Sequence, residues 1–144
     1  MAETQHIKLG TLLKEKKLIT EKHINYALNV QKVTKEKLGQ VLTRLGLVAE
    51  DELVKTVANQ LNIKYIDLSR IEPDMQILRA FNRNYCLNNQ IFPIYSENNH
   101  LIVATSQLPN QRLEQAIMRT ANKKVEFRMT EESKLVTYIY NYFY

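Results

Sequence analysis

A single cysteine, no tryptophan, three glycines and three prolines are spread through 144 residues. One cysteine cannot close an internal disulfide, so a disulfide-stapled secreted scaffold is excluded and Cys86 fits a reducing compartment. So few glycines and prolines exclude long flexible linkers and low-complexity segments. No run approaches the roughly 18 consecutive apolar residues of a membrane span. Met1 to Gln5 has none of the apolar character of a signal peptide, and the expectation is a cytoplasmic chain.

Motifs of catalysis are scarce too. There is no Gly-x-x-x-x-Gly-Lys-Ser/Thr phosphate loop and no Gly-x-Ser-x-Gly nucleophile turn. His6, His23 and His100 have no ligand spacing, and Glu50, Asp51 and Glu52 read as the acidic first turn of a helix rather than a metal site. Cys86 stands in the apolar run Tyr85-Cys86-Leu87 and reads as a buried thiol. The chain is therefore expected to be no enzyme and to carry neither a metal nor a bound cofactor.

What is present is a duplication. KLGTLLKEKKLITEKHINYALNVQ, residues 8–31, returns as KLGQVLTRLGLVAEDELVKTVANQ, residues 37–60, at an offset of 29 with seven identities. Four further positions exchange one aliphatic residue for another: Leu12/Val41, Ile19/Val48, Ile24/Leu53 and Leu28/Val57. Leucines at matched positions are what two stacked helix pairs require. The Lys-Leu-Gly at the head and the Gln at the tail are not required by a core. The net charge of +5 leans the same way, with eleven Lys/Arg against seven Asp/Glu in residues 1–64 and nine against eight in residues 65–144. A basic half suggests an anionic partner.

The periodicity predicts α+β architecture: a four-helix tandem repeat, residues 1–61, followed by a small α/β sandwich, residues 62–144. Residues 1–7 read as frayed. In the first copy Leu9, Leu12 and Leu13 mark one helix starting near Lys8, and Thr20 caps a second that carries Ile24, Ala27, Leu28 and Gln31 on one stripe. Lys32 to Glu36 reads as a connector. In the second copy Leu38, Val41, Leu42 and Leu45 end at Gly46, a left-handed C-terminal residue, and Leu53, Thr56, Val57 and Gln60 form the last stripe. Beyond it the pattern predicts a strand at 65–67, a helix at 74–81, strands at 90–95 and 101–105, a helix at 111–121, a strand at 124–129, and a helix at 131–142 capped by Thr130. Pro93 places its strand at an edge or a bulge. The Tyr-rich end, Tyr138 to Tyr144, reads as an aromatic helix packed on the sheet, and its abrupt stop suits a domain cut from a longer protein.

The doubled pattern, with 24-residue copies and a five-residue spacer, closely resembles the MshEN domain. That domain stands at the N-terminus of type II secretion and type IV pilus ATPases and is attached to some bacterial membrane glycosyltransferases. Residues 61–144, with QLNIKYIDL at 60–68 and LIVATSQLP at 101–109, resemble the remainder of the same region. The resemblance implies a receptor domain for cyclic di-GMP, held by Lys8, Leu9, Gly10, Ile24, Leu28 and Gln31 in the first copy. Lys37, Leu38, Gly39, Leu53, Val57 and Gln60 would be their counterparts in the second. It also implies an ATPase or glycosyltransferase domain as covalent partner, an inner-membrane platform protein as a further one, and a place at the cytoplasmic face of that membrane.

The residues bear on that implication directly. The ligand is a two-fold dianion with two guanines, and a tandem repeat offers two related half-sites. Glycines at helix starts let backbone N–H groups approach a phosphate or a guanine edge, and a helix-packing role is open to them as well. The lysines supply countercharge, and a glutamine both donates and accepts. Two positions depart from the family: Lys8 stands where Arg is favoured, and Lys17 where a glycine is expected. Two other readings remain: a docking module of a secretion ATPase that binds no nucleotide, and a DNA-binding module. Scattered lysines with no dense basic row on any helix argue against DNA.

Overall fold

The computed structural model describes the backbone of residues 2–143 and the side chains of residues 9–143. The fold is α+β, and the chain divides into two compact units, residues 1–57 and 58–144. The division falls inside a helix, so Gln60 is counted with the second unit although it shares that helix with Leu53 and Val57.

The first unit contains α1 (Ala2–Glu15), α2 (Glu21–Thr34), α3 (Leu38–Arg44) and most of α4 (Glu50–Leu61). One core joins both copies: Leu13, Ile19 and Ala27 from the first are buried with Leu38, Val41, Leu42 and Val48 from the second. Full burial of a leucine is worth on the order of 2 kcal/mol, so this shared core is what each pair gains from the other. Two expectations are corrected at the backbone. Residues 2–7 continue α1 instead of fraying, and the connector between the copies shortens to residues 35–37 because α2 runs on to Thr34.

The second unit follows with a 3₁₀ turn at Leu68–Arg70, α5 (Met75–Leu78), α6 (Arg83–Asn89), β1 (Ile91–Glu97), β2 (His100–Thr105), α7 (Gln111–Ala121), β3 (Lys124–Met129) and α8 (Glu132–Tyr142). The sheet order is β1-β2-β3, with β1 antiparallel and β3 parallel to β2. Asn98 and Asn99 both take positive φ, 51° and 63°, which is what a two-residue hairpin turn demands. Pro93 lies on the edge strand and also beside a bulge, where the register shifts between Pro93 and Tyr95. Having no N–H to give, it costs the ladder nothing there.

Three sequence expectations fail in this unit. The helix expected at 74–81 closes after a single turn, Met75–Leu78. Residues 65–67 are not a strand: only Tyr65 bridges, to Met129, with Ile66 N–H donating to Met129 O at 2.9 Å and Met129 N–H to Lys64 O at 2.8 Å. Thr130 does not cap α8. Its hydroxyl is buried without a hydrogen-bond partner, and Glu131 takes the capping position. The aromatic end does pack on the sheet, with Tyr138, Tyr142 and Phe143 ringed about Phe92 at 5.9–6.1 Å between centroids.

Candidate functional site

The two copies share one backbone motif as well as a sequence pattern. Each first helix ends in the same motif: Leu18 N–H donates to Leu13 O at 3.0 Å and Lys17 N–H to Lys14 O at 2.9 Å. Twenty-nine residues on, Leu47 N–H donates to Leu42 O at 2.9 Å and Gly46 N–H to Thr43 O at 3.1 Å. This is the Schellman ending, which needs a left-handed residue in the middle. Gly46 supplies it at φ 72°, and Lys17 supplies it at φ 61° despite its Cβ.

The second helices begin differently. Thr20 caps α2 through a reciprocal box, its hydroxyl accepting from His23 N–H while His23 Nδ1 accepts from Thr20 N–H. Ala49 has no side-chain oxygen for that role, and Glu50, Asp51 and Glu52 in the first turn of α4 set negative charge at the positive end of the helix dipole instead.

The glycines mark where each pair touches. A Cβ on Gly10 would lie 3.5 Å from Ile24 Cγ2, and one on Gly39 would lie 3.0 Å from Leu53 Cδ2. Ile24 and Leu53 are themselves matched positions, so the same glycine-to-aliphatic approach occurs twice. It corrects one expectation: Gly10 is interior to α1, which begins at Ala2, so its N–H is not a free helix-start donor. Gly39 does stand in the first turn of α3, after Lys37 as N-cap.

The other implied residues divide by burial. Leu9, Ile24, Leu28, Leu53 and Val57 are half-buried. Leu38 is only 1% exposed, part of the shared core, and backs the surface rather than lining it. Gln31 is half-buried near the end of α2, Gln60 is exposed near the end of α4, and Lys37 is exposed. The side chain of Lys8 lies outside the described residues. A concavity of about 250 Å³ bordered by Asp74, Ile77, Leu101 and Lys123 lies within the second unit and includes no residue of the repeat.

Two polar arrangements escaped the sequence reading. Arg44 reaches back along α3 to Glu36, Nη2 donating to Oε1 at 2.7 Å and Nε to Oε2 at 3.1 Å. In the second unit Glu131, 3% exposed, accepts from the Tyr65 hydroxyl and pairs with Lys134 at 2.8 Å. Lys134 also reaches Asp67 at 3.1 Å. Burial, then the bond to Glu131, pushes the Tyr65 phenol well above its ordinary value. Hydrogen bonds from Ser69 and Lys134 pull Asp67 down to about 2. Glu36 precedes the N-cap of α3 and Arg44 ends the helix, so their pairing follows no helical spacing, and the Asp67–Lys134 separation leaves no local signal.

Cys86 is fully buried in α6, and desolvation pushes its thiol up to about 12, so it stays protonated at neutral pH. Among the described residues no group of three or more His, Cys, Asp or Glu could hold a metal. None of the described helices is long and apolar enough to cross a membrane.

The sequence profile of the MshEN domain matches residues 61–144, more than half of the chain. This chain belongs to the MshEN domain family. The profile match covers the second unit and stops short of the repeat. The structure of MshE with cdg (cyclic di-GMP) covers 94% of this chain and 98% of its own, at 29% identity and a TM-score of 0.77. That coverage takes in most of the repeat. The N-terminal domain of XpsE shares the fold at 18% identity and a TM-score of 0.58, over 100% of this chain and 97% of its own. Among curated proteins, the type IV pilus assembly ATPase PilB of Thermus thermophilus is 29% identical over 122 residues, 84% of this chain. Bacteriophage adsorption protein B of Escherichia coli K12 is 23% identical over 129 residues, 90% of this chain. The chain spans 13% of the former's length and 17% of the latter's.

Proposed function

We propose that this MshEN domain is a non-catalytic receptor for cyclic di-GMP, with the ligand held by residues 8–60 and the signal passed on by residues 62–144. The carrying observation is the doubled backbone framework, the same helix ending at 13–18 and 42–47 and the same glycine contact at Gly10–Ile24 and Gly39–Leu53. A two-fold ligand fits two copies of one framework better than it fits any single helix pair. Half-buried Leu9, Ile24, Leu28, Leu53 and Val57 offer apolar surface to guanine faces. Lys8 and Lys37 provide countercharge to the phosphates, and Gln31 and Gln60 polar contacts. The cyclic di-GMP in the MshE structure supports this choice of ligand. The domain would work as the regulatory end of a longer protein, a secretion or pilus ATPase or a membrane glycosyltransferase, at the cytoplasmic face of the inner membrane.

Calorimetric titration of the 144-residue chain with cyclic di-GMP, GMP and ATP tests the reading. Saturable heat is expected with the first alone, and its absence removes the proposal. One observation favours a docking module instead. Tyr26 and Val33, on one face of α2, are 57% and 82% exposed, and the positions 29 residues on are the polar Lys55 and Asn62. Capture of a platform protein that survives substitution of Lys8, Lys37, Gln31 and Gln60, without nucleotide binding by the wild type, would establish that reading.

A further inference from the structure

The guanidinium of Arg44 is not where its place in α3 would leave it. Arg44 is the last residue of that helix, where a cation complements the dipole, yet its side chain turns back toward the start and forks onto Glu36 at 2.7 and 3.1 Å. Glu36 directly precedes Lys37, the head of the second copy. Both side chains keep access to water, at 49% exposure for Arg44 and 29% for Glu36. A water-accessible ion pair of this kind is weak, so the fork can exchange its carboxylate for another anion at little cost.

The first copy has no such device. Glu15 stands where Arg44 stands and Ile7 where Glu36 stands. Both copies also open on lysine, a point charge that cannot form the planar two-bond grip a guanidinium makes on a phosphate. The fork on Glu36 is that same grip, filled by a carboxylate from the chain itself. The guanidinium is charged with or without its partner, and Glu36 is held below the ordinary carboxylate range, chiefly by its hydrogen bond to Arg44.

We propose that Arg44 is a phosphate-binding residue of the second half-site, and that Glu36 occupies its fork until the phosphate of a cyclic dinucleotide displaces it. This rests on the receptor reading above. It makes the two half-sites unequal, with the guanidinium contributed by the second copy alone. Glu36 then acts as an internal competitor that lowers affinity, and Arg44 as the group competed for.

The opposed roles give the test its sign. If the pair acts on the ligand only through its charges, the opposite shifts of the two single variants cancel in the double variant. If Arg44 grips the ligand, the double variant binds as weakly as Arg44→Gln, because Glu36 then has nothing left to compete for, and cancellation overturns the assignment. Cyclic di-GMP is titrated calorimetrically into the wild-type chain, Glu36→Gln, Arg44→Gln and the double variant, with circular dichroism confirming that each is folded. Glu36→Gln should tighten binding roughly threefold, and Arg44→Gln should weaken it roughly tenfold, the scale of one lost bidentate contact. The double variant should follow Arg44→Gln. Wild-type binding with both single variants shifted the same way, or unshifted, overturns the assignment of Arg44 and leaves the receptor reading standing. No wild-type heat overturns both.

Discussion

Lys17 and Gly46 hold the same left-handed backbone position, 29 residues apart, at φ 61° and 72°. The lysine does so because the hydrogen bonds on either side, Leu18 to Leu13 and Lys17 to Lys14, fix the helix ending around it. A Cβ in that conformation costs roughly 1–2 kcal/mol, partly returned by the smaller unfolded-state entropy of a non-glycine residue. Lys17→Gly should therefore stabilise the first unit by about 0.5–1 kcal/mol, and Gly46→Ala should destabilise it by a similar amount. Urea midpoints read both. Equal midpoints for Lys17→Gly and wild type would remove the strain argument.

The two repeat glycines should answer differently to alanine. At Gly10 the new methyl meets Ile24 at 3.5 Å or beyond, ordinary contact in a helix interior, and a gain of up to about 1 kcal/mol is expected from helix propensity. At Gly39 the methyl comes within 3.0 Å of Leu53 Cδ2, so Leu53 has to shift and the gain is cancelled or reversed. Gly39→Ala should also weaken cyclic di-GMP binding, because Leu53 belongs to the proposed apolar lining. Melting temperatures that rise equally in both variants, with unchanged affinity, would contradict this.

Glu131 predicts a graded response in the second unit. Tyr65→Phe removes one partner of a buried carboxylate and should cost about 1–3 kcal/mol. Lys134→Met leaves that carboxylate without its cation and should cost more than Tyr65→Phe. Denaturant unfolding orders the two, and the reverse order would mean that the phenol, not the ammonium, is the main partner.

Acid sensitivity should trace to Asp67. Its folded-state pKa lies below the ordinary value, near 2 against 3.8, owing first to the Ser69 hydroxyl and then to Lys134. A depressed acid gives stability that is complete above 3.8 and lost as pH falls toward about 2. Asp67→Asn should flatten the stability curve across that window while lowering the plateau above it. Unfolding midpoints measured at steps of pH check this, and an unchanged acid limb in Asp67→Asn would contradict it.

Much of this fold is legible along the chain because its elements obey local rules. The bounds expected for β2 at 101–105, α7 at 111–121 and β3 at 124–129 differ from those observed by at most one residue, since alternation and helical periodicity change sharply between them. Thr20 and Gly46 act as cap and stop as their chemistry requires. What escaped is non-local. Tyr65 makes one bridge to Met129, too little for a strand, and Thr130 is turned into the interior where no cap can form. The start of α1 and the backward reach of Arg44 follow from the folded arrangement rather than from any periodic pattern. For the candidate site, the residues are those the family resemblance implies, and the structure adds that Leu38 is core and that each glycine faces an aliphatic partner.

The most direct test of the account is where a cyclic dinucleotide touches the chain. Amide-resolved NMR of the 144-residue protein, titrated with cyclic di-GMP, should show saturable shifts clustered at residues 8–10 and 37–39, around Gln31 and Gln60, and along Leu53 to Val57. Shifts confined to residues 62–144, or none at saturating ligand, would contradict the assignment of binding to the repeat.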